Sequence, residues 1–444
     1  MLDKEACVAV CSYEKDAPSA CTDITIQNNL AAGCKFSGFI APGYDCDVTT
    51  STHFKDNVAH SIEGTGALVY PDHENGNNHM GCYEISHFKA YKTTLPCLGA
   101  HYETHEMRAH DITCIDAEKG ISLQTGVEGT GMIIKFSNSK IYGETDADDC
   151  PADHECYCPN KIGMMFFGNN VKGKSLHMPA QSPRPIYKVK SYGAYGGTAT
   201  IDNVTFKNFA SNGLSKCAAR SVIFEAIDSA SDKTPIHYFT NTVFEDVDTK
   251  SMAFFYDPPS KWAIVKDCGA FPCTAPNNIL LTFTSTTYAG TTQPTATHAD
   301  FQMIPDDPNV GGSVGSSWAT CTVNTDWQGY LCQDRSVGML VFESLDSDTM
   351  DRSIQPIFIL NEATGFNNTL NSMMDHVWDG FYTGQTRMSR FPGLLSTDLD
   401  YTLEISGTPP KKMRFKLEAD QGGTKIKIPY PVAGSVTIYA DEVK

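Results

Sequence analysis

No apolar run in this 444-residue chain is long enough to cross a bilayer as a helix. The longest, such as Val337-Gly338-Met339-Leu340-Val341-Phe342, fall far short of the roughly 20 residues that a span requires. Between 51 and 290 no apolar stripe of helical period exceeds two turns, so helical architectures are excluded there. Gly and Pro are scattered rather than clustered, so there is no low-complexity linker. Positive charge is scarce: 34 Lys and Arg against 52 Asp and Glu leave a net charge of −18. A surface of that sign repels nucleic acid and anionic membrane. The chain carries no Gly-rich phosphate loop, no nucleophile elbow and no basic stripe with interleaved aromatics, so sequence support for nucleotide, hydrolase and nucleic-acid functions is missing. Its first residues, Met1-Leu2-Asp3-Lys4-Glu5, lack the apolar run of a signal peptide.

What is present is a recurring strand phrase. It reads Ile201-Asp-Asn-Val-Thr-Phe-Lys-Asn-Phe209, then Phe239-Thr-Asn-Thr-Val-Phe-Glu-Asp-Val247, then Leu281-Thr-Phe-Thr-Ser-Thr-Thr-Tyr288. Earlier relatives are Met107–Ile115 and Ile133–Tyr142. Each alternates apolar with polar residues and carries Asn, Asp or Thr near its start. Recurrence of a short strand unit at a loose period is the signature of a solenoid, whose units bury their apolar faces only by stacking. Hydrophobic residues make up 41% of the chain, enough for a large core. Val204, Phe206, Val243, Phe244, Leu281 and Phe283 are expected to form inward ladders. Asn203 and Asn241 occupy equivalent points of two phrases, where Asn suits a left-handed corner.

Sixteen Cys are present, and eleven precede residue 160. An even number beside Gly, Pro or Asp points to disulfides and an oxidising compartment. Cys268 and Cys273 are expected to pair across the turn that Gly269 and Pro272 impose. Cys321 and Cys332 form a second candidate pair, and Cys150, Cys156 and Cys158 are further disulfide candidates in an acidic insert. The sequons Asn203-Val204-Thr205 and Asn367-Asn368-Thr369 suit secretion. With disulfides, the missing signal peptide is expected of a matured chain or of one segment of a larger polypeptide.

Four regions follow. Residues 1–50 are Cys-rich and turn-rich, an irregular N-terminal segment or first coils. Residues 51–290 read as stacked short strands with loops inserted, and 291–334 as a connecting segment. From 335 to 444, strands at Gly338–Leu345, Ile354–Leu360, Tyr401–Ile405, Met413–Leu417, Thr424–Ile428 and Ser435–Ala440 suit a separate β-sandwich. Asn371–Trp378 reads as one short helix. Residues 401–444 hold seven Lys or Arg and five Asp or Glu, so this end is +2 and the remainder −20.

Phe54-Lys-Asp-Asn-Val-Ala-His-Ser-Ile-Glu-Gly64 resembles a coil of fibrocystin-like proteins. Asp267-Cys-Gly-Ala-Phe-Pro-Cys-Thr-Ala-Pro276, with Asn278-Ile-Leu-Leu-Thr-Phe283 after it, is similar to a later segment of that family. Leu370–Phe381 and Gly407–Lys416 are similar to its protist members. The resemblance implies an all-β fold, a right-handed parallel β-helix followed by a C-terminal β-sandwich, at the cell surface. The hyaluronan-degrading relatives place key charged residues in a domain preceding the β-helix, and no stretch here matches that domain.

Several constellations carry possible chemistry. Eight of the thirteen His fall between 53 and 110: His53, His60, His73, His79, His87, His101, His105 and His110. His105-Glu106 with His110 is similar to a metalloprotease zinc signature, but the second His comes one position too late. No His pair has the two-residue spacing that shares a strand face, so a metal would have to bind between coils. Glu144, Asp146, Asp148 and Asp149, with Asp153 and Glu155 nearby, suit calcium, the one cofactor the composition suggests. Asp202, Glu245, Asp246 and Asp248 are the carboxylates available for glycan chemistry. Tyr187, Tyr192, Tyr195, Tyr256 and Trp262 are the aromatics available to stack on sugars. Lys411, Lys412, Arg414 and Lys416 form a basic spot suited to self-assembly against an acidic face.

The expected function is that of an extracellular or cell-surface structural protein, not an enzyme, whose β-helix rod assembles into a filament or surface coat. Its partners would be itself, other extracellular proteins or glycans, with no nucleic acid and no membrane span. The alternative is a glycan-active enzyme or carbohydrate-binding module of the hyaluronidase-related class. Fold alone does not choose between them.

Overall fold

Each pass of the chain lays its strands beside the equivalent strands of the pass before. The structure, a computed structural model, describes residues 6–9, 25–41, 44–45, 54–69, 79–100, 104–124, 133–145, 160–167, 198–209, 219–226, 236–256, 279–289, 298–305, 321–327, 329–333, 336–345, 357–363, 365–370, 374–378, 382–387, 390–397, 399–418 and 425–428. They are all-β, with one short 3-10 turn at Thr249–Ser251 and no α-helix. None of them forms a helix long and apolar enough to cross a membrane.

An eight-stranded sheet runs in the order Ala6–Ala9, Ser37–Ala41, Thr65–Val69, Pro96–Ala100, Lys119–Gln124, Asn160–Phe167, Ala219–Ala226 and Ala253–Tyr256, and every neighbouring pair is parallel. A fifteen-stranded sheet holds the other half of each pass. Its parallel series includes Leu30–Ala32, Asn57–Ile62, Phe88–Thr93, Thr113–Ile115, Ile133–Tyr142, Thr198–Phe209 and Leu280–Ala289. The chain alternates between the two sheets, so each pass is one layer of a stack. Within 1–50, Ala6–Ala9, Ile26–Gln27, Leu30–Ala32 and Ser37–Ala41 already join it through parallel pairing, whereas Tyr44–Asp45 pairs antiparallel with His79–Ser86.

The layers hold together by stacking like on like. Val204, Phe206, Phe244, Leu281 and Phe283 are buried, as expected of inward ladders. Val243 is only half-buried, because the left-handed Asn241 shifts the alternation and places Thr242 and Phe244 inside instead. The Phe283 ring is stacked between Phe239, at 4.5 Å, and Phe301, at 4.4 Å, both nearly parallel to it. Cys97–Cys114 joins strands of the two sheets in adjacent layers, with Cα atoms 5.8 Å apart, and Cys7–Cys34 joins the first layers at 5.6 Å.

Residues 291–334, expected only to connect, carry strands of their own. His298–Pro305, Gly329–Gln333 and Cys321–Asn324 add antiparallel to the last layer. Cys321 and Cys332 are bonded directly opposite each other, with Cα atoms 4.0 Å apart. Trp327 is buried here, and its indole Nε1–H donates to Thr249 O at 2.8 Å. Its carbonyl accepts from Phe255 N at 3.0 Å, which extends the edge of the eight-stranded sheet. These residues cap the stack at its C-terminal end.

Beyond residue 336 two small sheets face each other across a second core of Val337, Leu340, Phe342, Ile357, Ile359 and Leu403, among others. One runs Arg390–Ser396, Val337–Ser344, Met413–Glu418; the other runs Phe366–Leu370, Ile357–Asn361, Asp400–Ile405, Lys425–Lys427. Buried Tyr401 donates to Ser396 O at 2.8 Å, and burial pushes its hydroxyl up to about 12. This core also takes in Ile236, Leu280, Ile304 and Tyr330 of the stack, so apolar packing continues across the junction. The expected helix at Asn371–Trp378 is instead the strand Met374–Trp378, paired antiparallel with Tyr382–Arg387. Closing that hairpin satisfies the backbone of both strands and overrides local helical spacing. Ser435–Ala440 lies outside the described residues.

Candidate functional site

The polar residue near the start of each phrase is a corner. Asn28, Asp56, His87, Asp111, Asn138, Asn203, Asn241 and Ser285 all have φ between 50° and 56°. The strand registers align them layer on layer: Ser86 pairs with His110, His110 with Ser137, Ser137 with Asp202, Asp202 with Thr240 and Thr240 with Thr284, each just before a corner. Non-glycine residues with positive φ are mostly Asn, Asp or His, whose short polar side chains bond locally. The side chains also bond along the stack. Asn203 Nδ2 donates to Asn138 Oδ1 at 2.8 Å, and Asn241 Nδ2 donates to Asp202 Oδ1 at 2.9 Å. A second corner follows five residues later, through Gly33, Ser61, Lys92, Asp116, Asn208 and Asp246, all again with positive φ.

Inside the first corner sits Asn57, fully buried. Its Nδ2 donates to Ile26 O at 2.7 Å, and its Oδ1 accepts from Asn29 N and Asn29 Nδ2, each at 3.1 Å. This explains the Asn of the Asn57-Val58-Ala59-His60-Ser61 phrase as a latch on the preceding layer. Replacing Asn203 by Val is expected to cost about 1–3 kcal/mol, because a β-branched residue is strained in the left-handed region. Asn203→Gly, which adopts it freely, is expected to cost much less. Chemical denaturation of the two variants checks the order.

Charge concentrates on the exterior of the layers between residues 84 and 137. Glu106 faces Arg108, at 2.8 Å, and Lys135 of the next layer, also at 2.8 Å. Burial would raise its carboxyl, but the hydrogen bonds from Lys135 and Arg108 outweigh that and hold it below the usual range. At the corner beside them, His110 Nδ1 meets Asp111 Oδ2 at 2.7 Å, His110 Nε2 meets Glu84 Oε1 at 3.4 Å, and His87 Nε2 lies 3.8 Å from Asp111 Oδ2. His60 stacks on Tyr91 at 4.9 Å one corner away.

The carboxylates considered for glycan chemistry do not converge. Asp202 is bonded by Asn241 before the first corner. Glu245 is paired with Lys207 beside the second, and this hydrogen bond raises the Lys207 ammonium above its ordinary range. Asp246 is itself a second-corner residue, and Asp248 precedes the 3-10 turn in extended backbone. Of the calcium candidates, Glu144 is half-buried and its carbonyl accepts from Asn208 Nδ2 at 2.9 Å. Asp146, Asp148 and Asp149 lie outside the described residues, as do Cys150, Cys156, Cys158, Cys268, Cys273, Tyr187, Tyr192, Tyr195 and Trp262.

Asn203 is exposed, not stacked inward, while Val204 of the same sequon is buried. Asn367 lies on Phe366–Leu370, an edge strand of the four-stranded sheet. Lys411, Lys412, Arg414 and Lys416 are all exposed at or beside Met413–Glu418. Arg414 lies 3.3 Å from Glu343 on the neighbouring strand, and the three lysines also interact within the chain. The basic spot is therefore partly balanced in place. The His87–His110 corner escaped sequence reasoning because its members come from different layers, and only the register brings them together.

No protein-family model matches the chain. It is related to fibrocystin-like proteins over about nine-tenths of its length. It is 24% identical to Fibrocystin-L of Mus musculus over 450 residues, which cover 89% of this chain and 10% of that protein. It is 23% identical to Fibrocystin-L of Homo sapiens over 458 residues, with the same coverage of 89% and 10%. To Fibrocystin of Canis lupus familiaris it is 21% identical over 423 residues, covering 91% and 10%. The chain thus spans about a tenth of the length of the curated relatives it matches.

Proposed function

We propose that this chain is part of an extracellular or cell-surface structural protein, a right-handed parallel β-helix with a C-terminal β-sandwich, which assembles through its ends and exterior. The right hand is the expected one, since parallel crossovers are right-handed in roughly 98% of cases. The oxidising compartment is supported by disulfides at Cys7–Cys34, Cys97–Cys114 and Cys321–Cys332. The cell surface is supported by the fibrocystin-like relationship.

The observation that carries assembly is the asymmetry of the two ends. The C-terminal end is capped by antiparallel strands and Trp327. At the other end, Leu30–Ala32 is an edge strand with no outer partner among the described residues, and Leu30 is 65% exposed. An open strand edge with an apolar side chain invites pairing with another segment. An end-to-end contact of unlike surfaces propagates instead of closing, which yields filaments. The charge difference, −20 against +2, favours such head-to-tail contact.

Sedimentation and negative-stain imaging at 0.1 M and 1 M salt test this reading. Extended oligomers are expected at low salt. They should dissociate as the Debye length falls from about 10 Å to about 3 Å, and should weaken in the Lys411→Glu, Lys412→Glu, Arg414→Glu variant. A chain that stays monomeric at high concentration and depolymerises a glycan would overturn it.

A further inference from the structure

We propose that His87, His110 and Asp111 form a binding site for a divalent transition metal, zinc by the character of its ligands, at the corner between two layers. Glu84 orients His110 within it. Three potential ligand atoms of this group lie within 4.8 Å of one another. Around tetrahedral zinc, with bonds of roughly 2.0–2.2 Å, ligand atoms sit about 3.4 Å apart. The observed 3.8 Å between His87 Nε2 and Asp111 Oδ2 and 2.7 Å between His110 Nδ1 and Asp111 Oδ2 bracket that separation. Small side-chain rotations would admit an ion in place of the contact between His110 Nδ1 and Asp111 Oδ2.

The surroundings fit ligation in three further ways. His110 binds through Nδ1 only if its proton resides on Nε2, and Glu84 Oε1 lies 3.4 Å from Nε2 to accept it. A carboxylate behind a metal-bound imidazole is the usual way that the tautomer and ring plane are fixed. Next, the His87 ring makes no hydrogen bond among the described residues. Its Nδ1 is buried without a partner, and its Nε2 stops beyond hydrogen-bond reach of Asp111. A metal on Nε2 would give that ring a partner. Finally, the backbone is set in advance: His87 N donates to His110 O and Asp111 N to Ser137 O, both at 3.2 Å, so two ligands ride on adjacent rungs of one ladder. The side chains of His87, His110 and Asp111 are 38%, 26% and 41% exposed, which leaves solvent room for a fourth, water ligand. Two imidazoles with one carboxylate select zinc and its neighbours over calcium or magnesium, which prefer all-oxygen shells.

The ladder itself supplies clean variants. Asn occupies the same left-handed corner in the layers at 138, 203 and 241, so His87→Asn and Asp111→Asn should keep the fold. Equilibrium dialysis with zinc chloride alone should show one zinc per chain lost in the His87→Asn, Asp111→Asn double variant, with unchanged circular dichroism. Glu84→Gln should weaken zinc about 10- to 100-fold without abolishing it. Cobalt substituted at the site should give the intense visible absorption of a four-coordinate ion, and zinc, but not equimolar calcium, should raise the melting temperature. No zinc uptake at 1 mM, or uptake equal in the double variant, overturns the proposal. This test is independent of assembly, which it neither requires nor predicts.

Discussion

Phe206→Asp is expected to abolish folding of the layered region. Phe206 is fully buried, in register between Ile141 of one layer and Phe244 of the next, whose ring centroid is 5.8 Å away. The opposite sheet is shaped to it: a Cβ at Gly163 would sit 3.1 Å from Phe206 Cδ1. Removing the ring alone costs about 3–5 kcal/mol. A buried, unpaired carboxylate adds several more. The sum rivals the roughly 5–15 kcal/mol that holds a native domain. Phe206→Leu keeps most of the volume and should stay folded, at a cost of about 1.5 kcal/mol or less. Soluble yield and far-UV circular dichroism separate the outcomes. An Asp variant with the native spectrum and a melting temperature within a few degrees would contradict the packing described.

Gln302→Leu is expected to uncouple the C-terminal sheets from the stack. Gln302 is buried, and its amide grips one residue at the junction from both sides. Nε2 donates to Val337 O at 2.9 Å, while Oε1 accepts from Val337 N at 2.7 Å. Nε2 also reaches Thr282 Oγ1 at 3.3 Å in the last parallel layer. Leu fills similar space but leaves the Val337 amide and carbonyl without these partners, at about 1–3 kcal/mol for each buried group. Denaturant unfolding should separate into two transitions, with the C-terminal sheets melting first. A single transition at the native midpoint would show that the apolar junction suffices.

The layered region was legible where side chains report on backbone. Alternation exposed Thr198–Phe209 and Leu280–Ala289, and the shared Asn of two phrases identified Asn203 and Asn241 as corners. The other corners were hidden by uneven layer length. Asn138 and Asn203 are 65 positions apart although they touch, whereas the corners at 87 and 111 are 24 apart. Lys92 is a corner too, with φ 54°, and nothing in its residue type announces it. The first layer stays open in the sequence between an irregular segment and first coils, because Ile26–Gln27 and Leu30–Ala32 are too short to show alternation. The cap was missed because Thr-, Pro- and Asp-rich composition signals a loop, while Trp327 and the Cys321–Cys332 pair hold it as strands. The metal candidates fared similarly. His110 stood out in the sequence beside His105, but its geometric neighbours are Asp111, Glu84 and His87, two of them from the preceding layer.

Parallel layers stack in the register that aligns the corners. Cysteine cross-linking tests it most directly. Adjacent strands lie about 4.8 Å apart, within the roughly 4.4–6.8 Å between Cα atoms that a disulfide spans. Asn203→Cys with Asn241→Cys, one layer apart, should therefore link on mild oxidation, as non-reducing peptide mapping would show. Asn203→Cys with Ser285→Cys, two layers apart, should remain unlinked. Failure of the first pair to link while the second links would contradict the stack.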